Sequence, residues 1–403
     1  MANIKISALP TYTGDTSDPR WFVMNNSGNT ETFKFSGYTS GVRPVSGFTG
    51  SFITLNYTDS NIACPYSLIL GGENNSIAAS YFVGRNTIIG GEGNTIPAGF
   101  GNMILNGSAA SIVGNLATII GASGSITDGF GNILLGGSGQ VGGNNSAIVG
   151  GGGNIIAPTL NDRDFIGGGE NNYITHGSNS SIIAGKSNLI TGNSNFGVIS
   201  GGENNTLNGA GYSFIGGGKF NILSGGTNYS SIIGGLSNEN YGNYSGIFNG
   251  TLNKINNTAT EHASIIGAYS SSTEGDYSHI IGGLYNQIFN QEAVIVGGQY
   301  NIIAAGSSQA EIIGSRNCII TGTTTDTTII NSIDSVIPNG IDRAVMLGTS
   351  GRTATVDSAT FVENLVIFNY ANLDYANDGA AAAGGVVLGQ VYHNNGALRI
   401  RHT

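Results

Sequence analysis

The sequence predicts an all-β protein that folds as a parallel β-solenoid, or β-roll, of about eighteen short coils. Three observations predict this class: a recurring motif of paired aliphatic and paired glycine residues, 67 glycines in 403 residues, and only 9% charged residues. An ordinary soluble domain has about 25% charged residues and roughly 7% glycine. Because 39% of the residues are hydrophobic, the chain is too apolar to be disordered. We therefore expect an ordered, turn-rich β-protein.

The repeat unit is aliphatic–aliphatic–Gly–Gly–x–x–Asn–x–aliphatic. About eighteen copies, many of them degenerate, occur at an average spacing of ~16 residues between Leu68 and Gly348. The β-branched pair favours a strand, and the glycine pair ends it because glycine adopts positive φ without cost. A coil of this length holds two or three short strands separated by tight corners. The clearest copies begin at Ile69, Ile88, Ile232, Ile280 and Ile295.

An asparagine recurs four positions beyond the first turn glycine. Stacked coil upon coil, such side chains can form an amide ladder that satisfies buried backbone groups; a row of ligand-binding asparagines is the alternative. Calcium-binding β-rolls need aspartate in these turns, so no bound calcium is predicted. The positions are Asn75, Asn94, Asn154, Asn188, Asn238, Asn253, Asn286 and Asn301, and, shifted by one residue, Asn172, Asn205 and Asn221.

The adjacent aliphatic residues of the repeat predict an exposed apolar stripe. Neighbouring side chains on a strand point to opposite faces, so one of Ile232 and Ile233 must point away from its coil's interior. Repeated over about eighteen coils, the stripe would exceed what a soluble monomer tolerates. We therefore predict that several solenoids intertwine or pack around a common axis as a homo-oligomer. The sequence itself does not set the number of chains, and a homotrimer is the preferred arrangement.

Charge and hydropathy exclude several kinds of partner. With a net charge of −10 and no run of lysine or arginine, the chain lacks the basic face that nucleic-acid binding requires. No stretch reaches ~18 consecutive apolar residues, so no membrane insertion is predicted. No secretory signal is recognisable at the N-terminus, and we expect the protein to stay in the cytoplasm of the producing cell until assembly or lysis. Cys64 and Cys318 are predicted to be buried free thiols.

The repeat divides the chain into four parts. Residues 1–40 are predicted to form an attachment segment, with a cap over the first coil as the alternative. Residues 41–66 are interpreted as a linker, and residues 67–350 as the solenoid shaft. Residues 351–403 are predicted to form a β-rich capping or tip domain, in which Asn394, Asn395 and Gly396 join two strands as a hairpin.

Both ends of the sequence resemble known proteins. Residues 4–10 (IKISALP), 21–24 (WFVM) and 32–35 (TFKF) look like the N-terminal segment of many bacteriophage virion proteins. The ending, from residues 374–386 (DYANDGAAAAGGV) to 398–401 (LRIR), is similar to the C-termini of phage tail and fibre proteins. The repeats between them resemble the β-roll heads of trimeric autotransporter adhesins.

These resemblances imply a homotrimeric structural fibre of a phage virion, assembled in the host cytoplasm. Residues 1–40 would then be the virion-anchoring segment that contacts capsid or tail proteins, and the C-terminus would be displayed for host-surface adhesion. A tailspike-like protein that binds or degrades a host surface glycan is the first alternative. A bacterial surface adhesin is the second, against which the missing export signal and membrane anchor argue.

Few residues suggest catalysis. Glycan cleavage needs two carboxylates about 5 to 10 Å apart, yet the most regular acids follow turn glycines and are interpreted as solvated corner residues: Glu73, Glu92, Glu170 and Glu203. Asp162, Arg163 and Asp164 interrupt the repeat in a longer insertion. They are the best candidates for a local site, with a solvated loop as the alternative.

Other reactive residues form no recognisable motif. The five histidines show no metal-ligand spacing, and no serine or cysteine nucleophile motif has its partner residues. The sequence predicts a protein that is not an enzyme and has no catalytic, cofactor-binding or metal-binding residues. The histidines are His176, His262, His279, His393 and His402.

Several tyrosines fall in the variable segments between aliphatic pairs. Exposed aromatic side chains suit contacts with sugars, and the loop tips of solenoids often carry function. Tyrosine also fits the flanks of β-turns, which is the structural alternative. The candidates for glycan contact are Tyr212, Tyr229, Tyr241, Tyr244, Tyr269 and Tyr277.

Overall fold

The structure is a computed structural model that describes residues 43–44, 52–58, 60–64, 66–78, 84–157, 162–256, 259–363, 373–388, 390–395 and 397–401. The predicted attachment segment, residues 1–40, lies outside the described residues. The described residues up to Glu363 form a parallel β-solenoid of about eighteen coils, which confirms the predicted fold class. Each coil contributes one short strand to each of two parallel sheets, here named sheet A and sheet B.

Sheet A begins with one antiparallel pair, Arg43–Pro44 against Phe52–Thr58, and all its other pairings are parallel. Its strands, in the order in which they pair, are Arg43–Pro44, Phe52–Thr58, Leu68–Glu73, Thr87–Ile89, Met103–Leu105, Thr118–Ile120, Ile133–Leu135, Ala147–Val149, Phe165–Ile166, Ser181–Ile182, Val198–Ile199, Phe214–Ile215, Ser231–Ile232, Gly246–Phe248, Ser264–Ile266, His279–Ile281, Val294–Val296, Glu311–Ile313, Thr328–Ile330, Val345–Leu347 and Thr360–Val362.

Sheet B is parallel throughout the described residues and supplies the second strand of each coil. Its strands are Asn61–Ile62, Ser76–Ile77, Thr95–Ile96, Ser111–Ile112, Ser123–Ile126, Ser138–Val141, Asn154–Ile156, Tyr173–Ile174, Leu189–Thr191, Thr206–Asn208, Ile222–Ser224, Glu239–Asn240, Lys254–Ile255, Ser272–Thr273, Gln287–Ile288, Ile302–Ile303, Ile319–Ile320 and Val336–Ile337.

The core is a double row of side chains, one from each sheet in most coils. In sheet A, Ile232 is fully buried and stands in register with Ile215 below and Ile247 above. In sheet B, Ile288 and Ile303 are buried and paired in the same way. Because equivalent residues of successive coils stand directly above one another, each position of the repeat becomes a column along the axis.

The second glycine of the repeat is required by close contact between coils. Gly235 has a φ of +89°, which L-residues rarely adopt. A β-carbon at this position would overlap the carbonyl oxygen of Gly250 in the next coil. The sequence pattern Gly–Gly therefore reflects both the turn and the stacking distance.

The predicted asparagine ladder is confirmed. It lies immediately before the strands of sheet B and is unbroken over seven coils, from Asn154 to Asn253. Asn188 is typical: its Oδ1 accepts from the backbone N–H of Asn205 (3.0 Å), and its Nδ2 donates to the carbonyl of Gly202 (3.0 Å). The ladder satisfies buried backbone groups, in agreement with the structural interpretation.

A second column of polar side chains, immediately before the strands of sheet A, was not predicted. We call it the sheet A column. Its residues vary between serine, asparagine, threonine, alanine, one glycine and one aspartate, which hides the period in the sequence. Its buried polar members are Ser67, Asn86, Asn102, Asn132, Ser146, Asp164, Ser180, Ser213, Ser230, Ser245, Ser278 and Thr327.

Residues 373–401 form a small separate cluster. The predicted hairpin is present, with Val391–Asn394 antiparallel to Ala397–Ile400. The alanine run forms a short helix, Asp378–Ala383, because alanine is the best helix former and Asn377 caps the helix by accepting from the N–H of Ala380. Three buried side chains, Ala381, Val386 and Tyr392, make up the core of this cluster.

The ladder gives the first testable prediction. Replacing Asn205 with alanine leaves the N–H of Asn221 and the carbonyls of Gly201 and Gly218 without their side-chain partner. Since unsatisfied buried polar groups cost about 1–3 kcal/mol each, we expect a loss of about 3 kcal/mol in the free energy of unfolding, measured by urea denaturation.

The exposed Asn195 provides the matched control. Its replacement with alanine should change the free energy of unfolding by less than about 0.5 kcal/mol. Equal effects of the two substitutions would contradict the assigned role of the ladder.

Candidate interaction surface

The outer face of sheet A carries the predicted apolar stripe. Ile232 and Ile280 are fully buried, whereas their neighbours Ile233 and Ile281 are 41% and 43% exposed. The alternation of inward and outward side chains is therefore as predicted. The exposed large apolar residues of this face are Leu70, Ile120, Ile133, Val149, Phe165, Ile183, Phe214, Ile233, Phe248, Ile266, Ile281 and Val362.

The outer face of sheet B is different in character. Among its described residues, only Val113, Tyr173 and Phe289 are exposed large apolar side chains. Many outward positions hold polar residues, such as Thr206, Ser272 and Gln287, and half-buried aliphatic residues occupy others. Lys254 and Glu239, on adjacent coils, form an ion pair across this face (3.1 Å). Of the two sheets, sheet A thus has the markedly more apolar outer face.

A ladder of six stacked rings runs along the corner that precedes sheet A. We call it the aromatic ladder: Phe196, Tyr212, Tyr229, Tyr244, His262 and Tyr277. Neighbouring ring centroids are 4.7–5.2 Å apart, and neighbouring planes lie within 12° of parallel. All six residues have φ between +51° and +57°. One positive-φ corner per coil, repeated at the spacing of paired strands, brings the rings into stacking distance.

The stacking limits how the tyrosines can contact a sugar. The faces of the internal rings are covered by their neighbours, so only their edges and hydroxyl groups are accessible, although four of the rings are 52–55% exposed. Tyr241 and Tyr269 lie outside the ladder: Tyr241 donates to the Glu239 carboxylate (3.2 Å), and Tyr269 packs edge-on against Tyr285. The sequence could not show this arrangement, because it depends on the register between coils.

The recurrent glutamates lie in an exposed corner between the two sheets, where Glu73 is bridged to Glu92 by backbone pairing. Glu170 pairs with Lys186 (3.2 Å), and Glu203 pairs with Lys219 (2.9 Å). All four of these ion-pair side chains are about half exposed. Such exposed pairs contribute little to stability, and the geometry is that of corner residues linking adjacent coils.

The three residues of the insertion do not converge on one site. Asp162 accepts from the side chain of Asn144 (2.8 Å), and Arg163 donates from Nε to Asn179 (2.9 Å), both at the surface. Asp164 points inward, where it is 1% exposed and accepts from the backbone N–H of Ser180 (2.8 Å). Burial raises the pKa of the Asp164 carboxyl to about 6.

The remaining candidates are dispersed. His262 belongs to the aromatic ladder, and Nδ1 of His279 is hydrogen-bonded to the hydroxyl of Ser264 (2.8 Å) on the outer face of sheet A. His176 lies at a corner with positive φ, His393 is in the C-terminal hairpin near Asp374, and His402 is outside the described residues. Cys64 and Cys318 are buried thiols outside any disulfide, as predicted.

Two properties of the described residues bear on function. No group of three or more His, Cys, Asp or Glu side chains in this part of the chain could hold a metal ion. Nor does it contain a helix of sufficient length and hydropathy to span a membrane. Compared with known protein families and with curated proteins, the sequence matches none of them.

The aromatic ladder gives the second testable prediction. Replacing Tyr244 with asparagine, which tolerates positive φ, removes ring contacts to both Tyr229 and His262. Since each aromatic pair contributes about 1 kcal/mol, we expect a loss of about 2 kcal/mol in the free energy of unfolding and a weaker near-ultraviolet circular dichroism signal.

Replacing Tyr244 with phenylalanine is the matched control, because it keeps the ring and removes only the hydroxyl. It should leave the free energy of unfolding within about 0.5 kcal/mol of the parent. If the phenylalanine variant lost as much stability as the asparagine variant, stacking would not be the stabilising interaction.

Proposed function

We propose that this protein forms the shaft of a bacteriophage virion fibre, as a homotrimer whose chains pack through the outer face of sheet A. The observation that carries the proposal is the one-sided apolar stripe, which runs from Leu70 to Val362 while the opposite face is largely polar. The role is structural and non-enzymatic. The first 40 residues would anchor the fibre to the capsid or tail, after assembly in the host cytoplasm.

A second copy of the chain fits the stripe better than an unrelated partner does. An apolar surface that repeats once per coil needs an apolar partner with the same repeat along the whole axis. An identical solenoid, placed in register around a symmetry axis, supplies that partner at every level. The polar face of sheet B then remains in solvent, which suits a fibre that projects from a particle.

The C-terminal cluster supports assembly independently of the stripe. A unit of about thirty residues with three buried apolar side chains is too small to be stable without additional contacts. Its hairpin and the segment before it expose Val387, Leu388, Leu398 and Ile400, each at least half exposed. Self-association of these surfaces at the tip would cover them and would fix the register of the shaft chains.

The proposed shaft is rigid and elongated. About eighteen coils, each rising by the ~4.8 Å spacing of paired strands, give a length of about 85 Å. Stiffness follows from continuous hydrogen-bonded columns along the axis rather than from a compact core. Such a rod would hold the tip away from the particle, where it could contact a host surface, and the phenol edges of the aromatic ladder are available for hydrogen bonds to a surface glycan.

The packing face is tested by a pair of charge substitutions. Replacing both Ile233 and Ile281 with aspartate places buried charges in the proposed seam, so the purified protein should sediment as a single folded chain instead of a trimer. Analytical ultracentrifugation gives the mass, and circular dichroism checks that the β-solenoid is retained. The control replaces Ser272 and Gln287 with aspartate on sheet B, adds the same charge, and should remain trimeric. An unchanged trimer in the sheet A variant would rule out this seam.

The virion assignment is tested by location. Gold-labelled antibodies raised against residues 67–350 are expected to decorate fibres that project from phage particles in negative-stain images of a producing culture. The label should follow a rod of about 85 Å. Label on the bacterial surface but absent from particles would instead support the surface adhesin.

A further inference from the structure

Asp164 is the one buried carboxylic acid among the described residues. It occupies the sheet A column between Ser146 in the coil below and Ser180 in the coil above. Its N–H donates to Oγ of Ser146 (3.1 Å), and its Oδ1 accepts from the N–H of Ser180 (2.8 Å). Its second oxygen, Oδ2, is buried and has no hydrogen-bond partner.

Other members of the column show which hydrogen bond is made by the side-chain atom that corresponds to Oδ2. Asn132 accepts through Oδ1 from the N–H of Ser146 (2.9 Å), just as Asp164 accepts from Ser180. Its other atom, Nδ2, donates to the carbonyls of Asp128 (2.9 Å) and Gly143 (2.7 Å). Asn102 repeats the arrangement, with Nδ2 donating to the carbonyl of Gly114 (2.7 Å).

The serines of the column follow the same rule. Oγ of Ser180 donates to the carbonyl of Ser194 (2.7 Å), and Oγ of Ser146 donates to the carbonyl of Asn144 (3.2 Å). In the neighbouring coils, the side-chain atom that corresponds to Oδ2 of Asp164 is therefore a hydrogen-bond donor. An ionised carboxylate has no proton to donate, whereas a protonated Asp164 would present an O–H at Oδ2 and act as asparagine does.

The charges around Asp164 also favour the neutral carboxyl. Asp162, in the same turn, is negative and adds to the effect of burial in raising the pKa of Asp164. Arg163 does not neutralise it, because its Nε is hydrogen-bonded to Asn179 at the surface. Ser146 and Ser180 are uncharged. His176, four residues before Ser180 in the coil above, is a further ionisable side chain near this level.

We propose that the protonation state of Asp164 controls how readily this level of the solenoid opens. We call this pH-dependent residue the latch. When Oδ2 is protonated, the hydrogen bonding of the sheet A column is complete between the coils of Ser146 and Ser180. When the proton leaves, a buried carboxylate faces a position that calls for a donor, and this level of the solenoid opens more readily than the levels around it.

The direction of the pH effect is opposite to that of an ordinary surface carboxylate. The pKa of Asp164 in the folded protein, about 6, is above its value of 3.8 when the coil is open. The stabilising contribution is therefore fully present below about pH 4 and is lost as the pH rises through 6. The opening equilibrium of this level should increase about tenfold between pH 5 and pH 7 and then level off.

Hydrogen–deuterium exchange of the full-length assembly, followed by mass spectrometry, measures this opening. The reporter is the segment that contains the N–H of Ser180, and the internal reference is the segment that contains the N–H of Ser146, which is bonded to Asn132. After correction for intrinsic exchange rates, the protection of the reporter relative to the reference should fall about tenfold from pH 5 to pH 7.

Three variants distinguish the latch from other causes. D164N should abolish the pH dependence and still fold, because asparagine is native at Asn102 and Asn132 of the same column. N132D should transfer a pH dependence of the same sign to the segment of Ser146. H176Q should leave the effect unchanged.

Two results would overturn the proposal. One is a protection ratio that does not change with pH in the parent protein. The other is a ratio at pH 7 that divalent cations restore and EDTA abolishes, which would mean that a cation and not a proton occupies Oδ2. The test is independent of the virion assignment, because it requires only the folded solenoid.

Discussion

The described coils of the solenoid pair in parallel with the coils next to them, in register except for one shift near the first coil, and the other features of the molecule depend on this pairing. Leu189 donates its N–H to the carbonyl of Asn205, and Ile183 donates to the carbonyl of Ile199, so the main chain of one coil lies directly on that of the next. The stacking distance is therefore set by the backbone. Any residue type that recurs at one repeat position becomes a continuous column with a spacing of about 5 Å.

This spacing decides which side chains each column accepts. A second turn glycine is needed where Gly235 faces the carbonyl of Gly250, because no β-carbon fits between them. Asparagine suits the column before sheet B since it can accept from the coil above while donating to nearby carbonyls. Planar rings suit the corner before sheet A, where a separation of about 5 Å is also a favourable distance for stacked aromatic rings.

Much of this was predictable from the sequence, because some columns have a nearly uniform composition. The asparagine at positions such as Asn188 and the doublet of Ile232 and Ile233 recur often enough to predict the ladder and the stripe. The sequence did not predict the sheet A column or the aromatic ladder. The first mixes serine, asparagine, alanine and aspartate, and the second contains tyrosine in only part of its length, so neither period is visible until the register is known. Insertions such as the one before Asp164 also vary the spacing of equivalent residues along the sequence.

Columns also explain why a single substitution can have a local and specific effect in so regular a molecule. A repeated position imposes the same hydrogen-bonding requirement on every coil. A side chain that accepts the backbone hydrogen bond but donates none therefore differs from its neighbours. Asn102, Asn132 and Asp164 are similar in size and accept the same backbone hydrogen bond from the coil above. They differ at the second atom: Nδ2 of asparagine always carries protons, whereas Oδ2 of aspartate carries one only when the carboxyl is neutral. A carboxyl group at this position makes the hydrogen bonding of one level conditional on pH, while the remaining levels keep their stability through amides and hydroxyls that do not ionise in this range. The regularity of the solenoid is what confines the consequence of that difference to one place along the shaft.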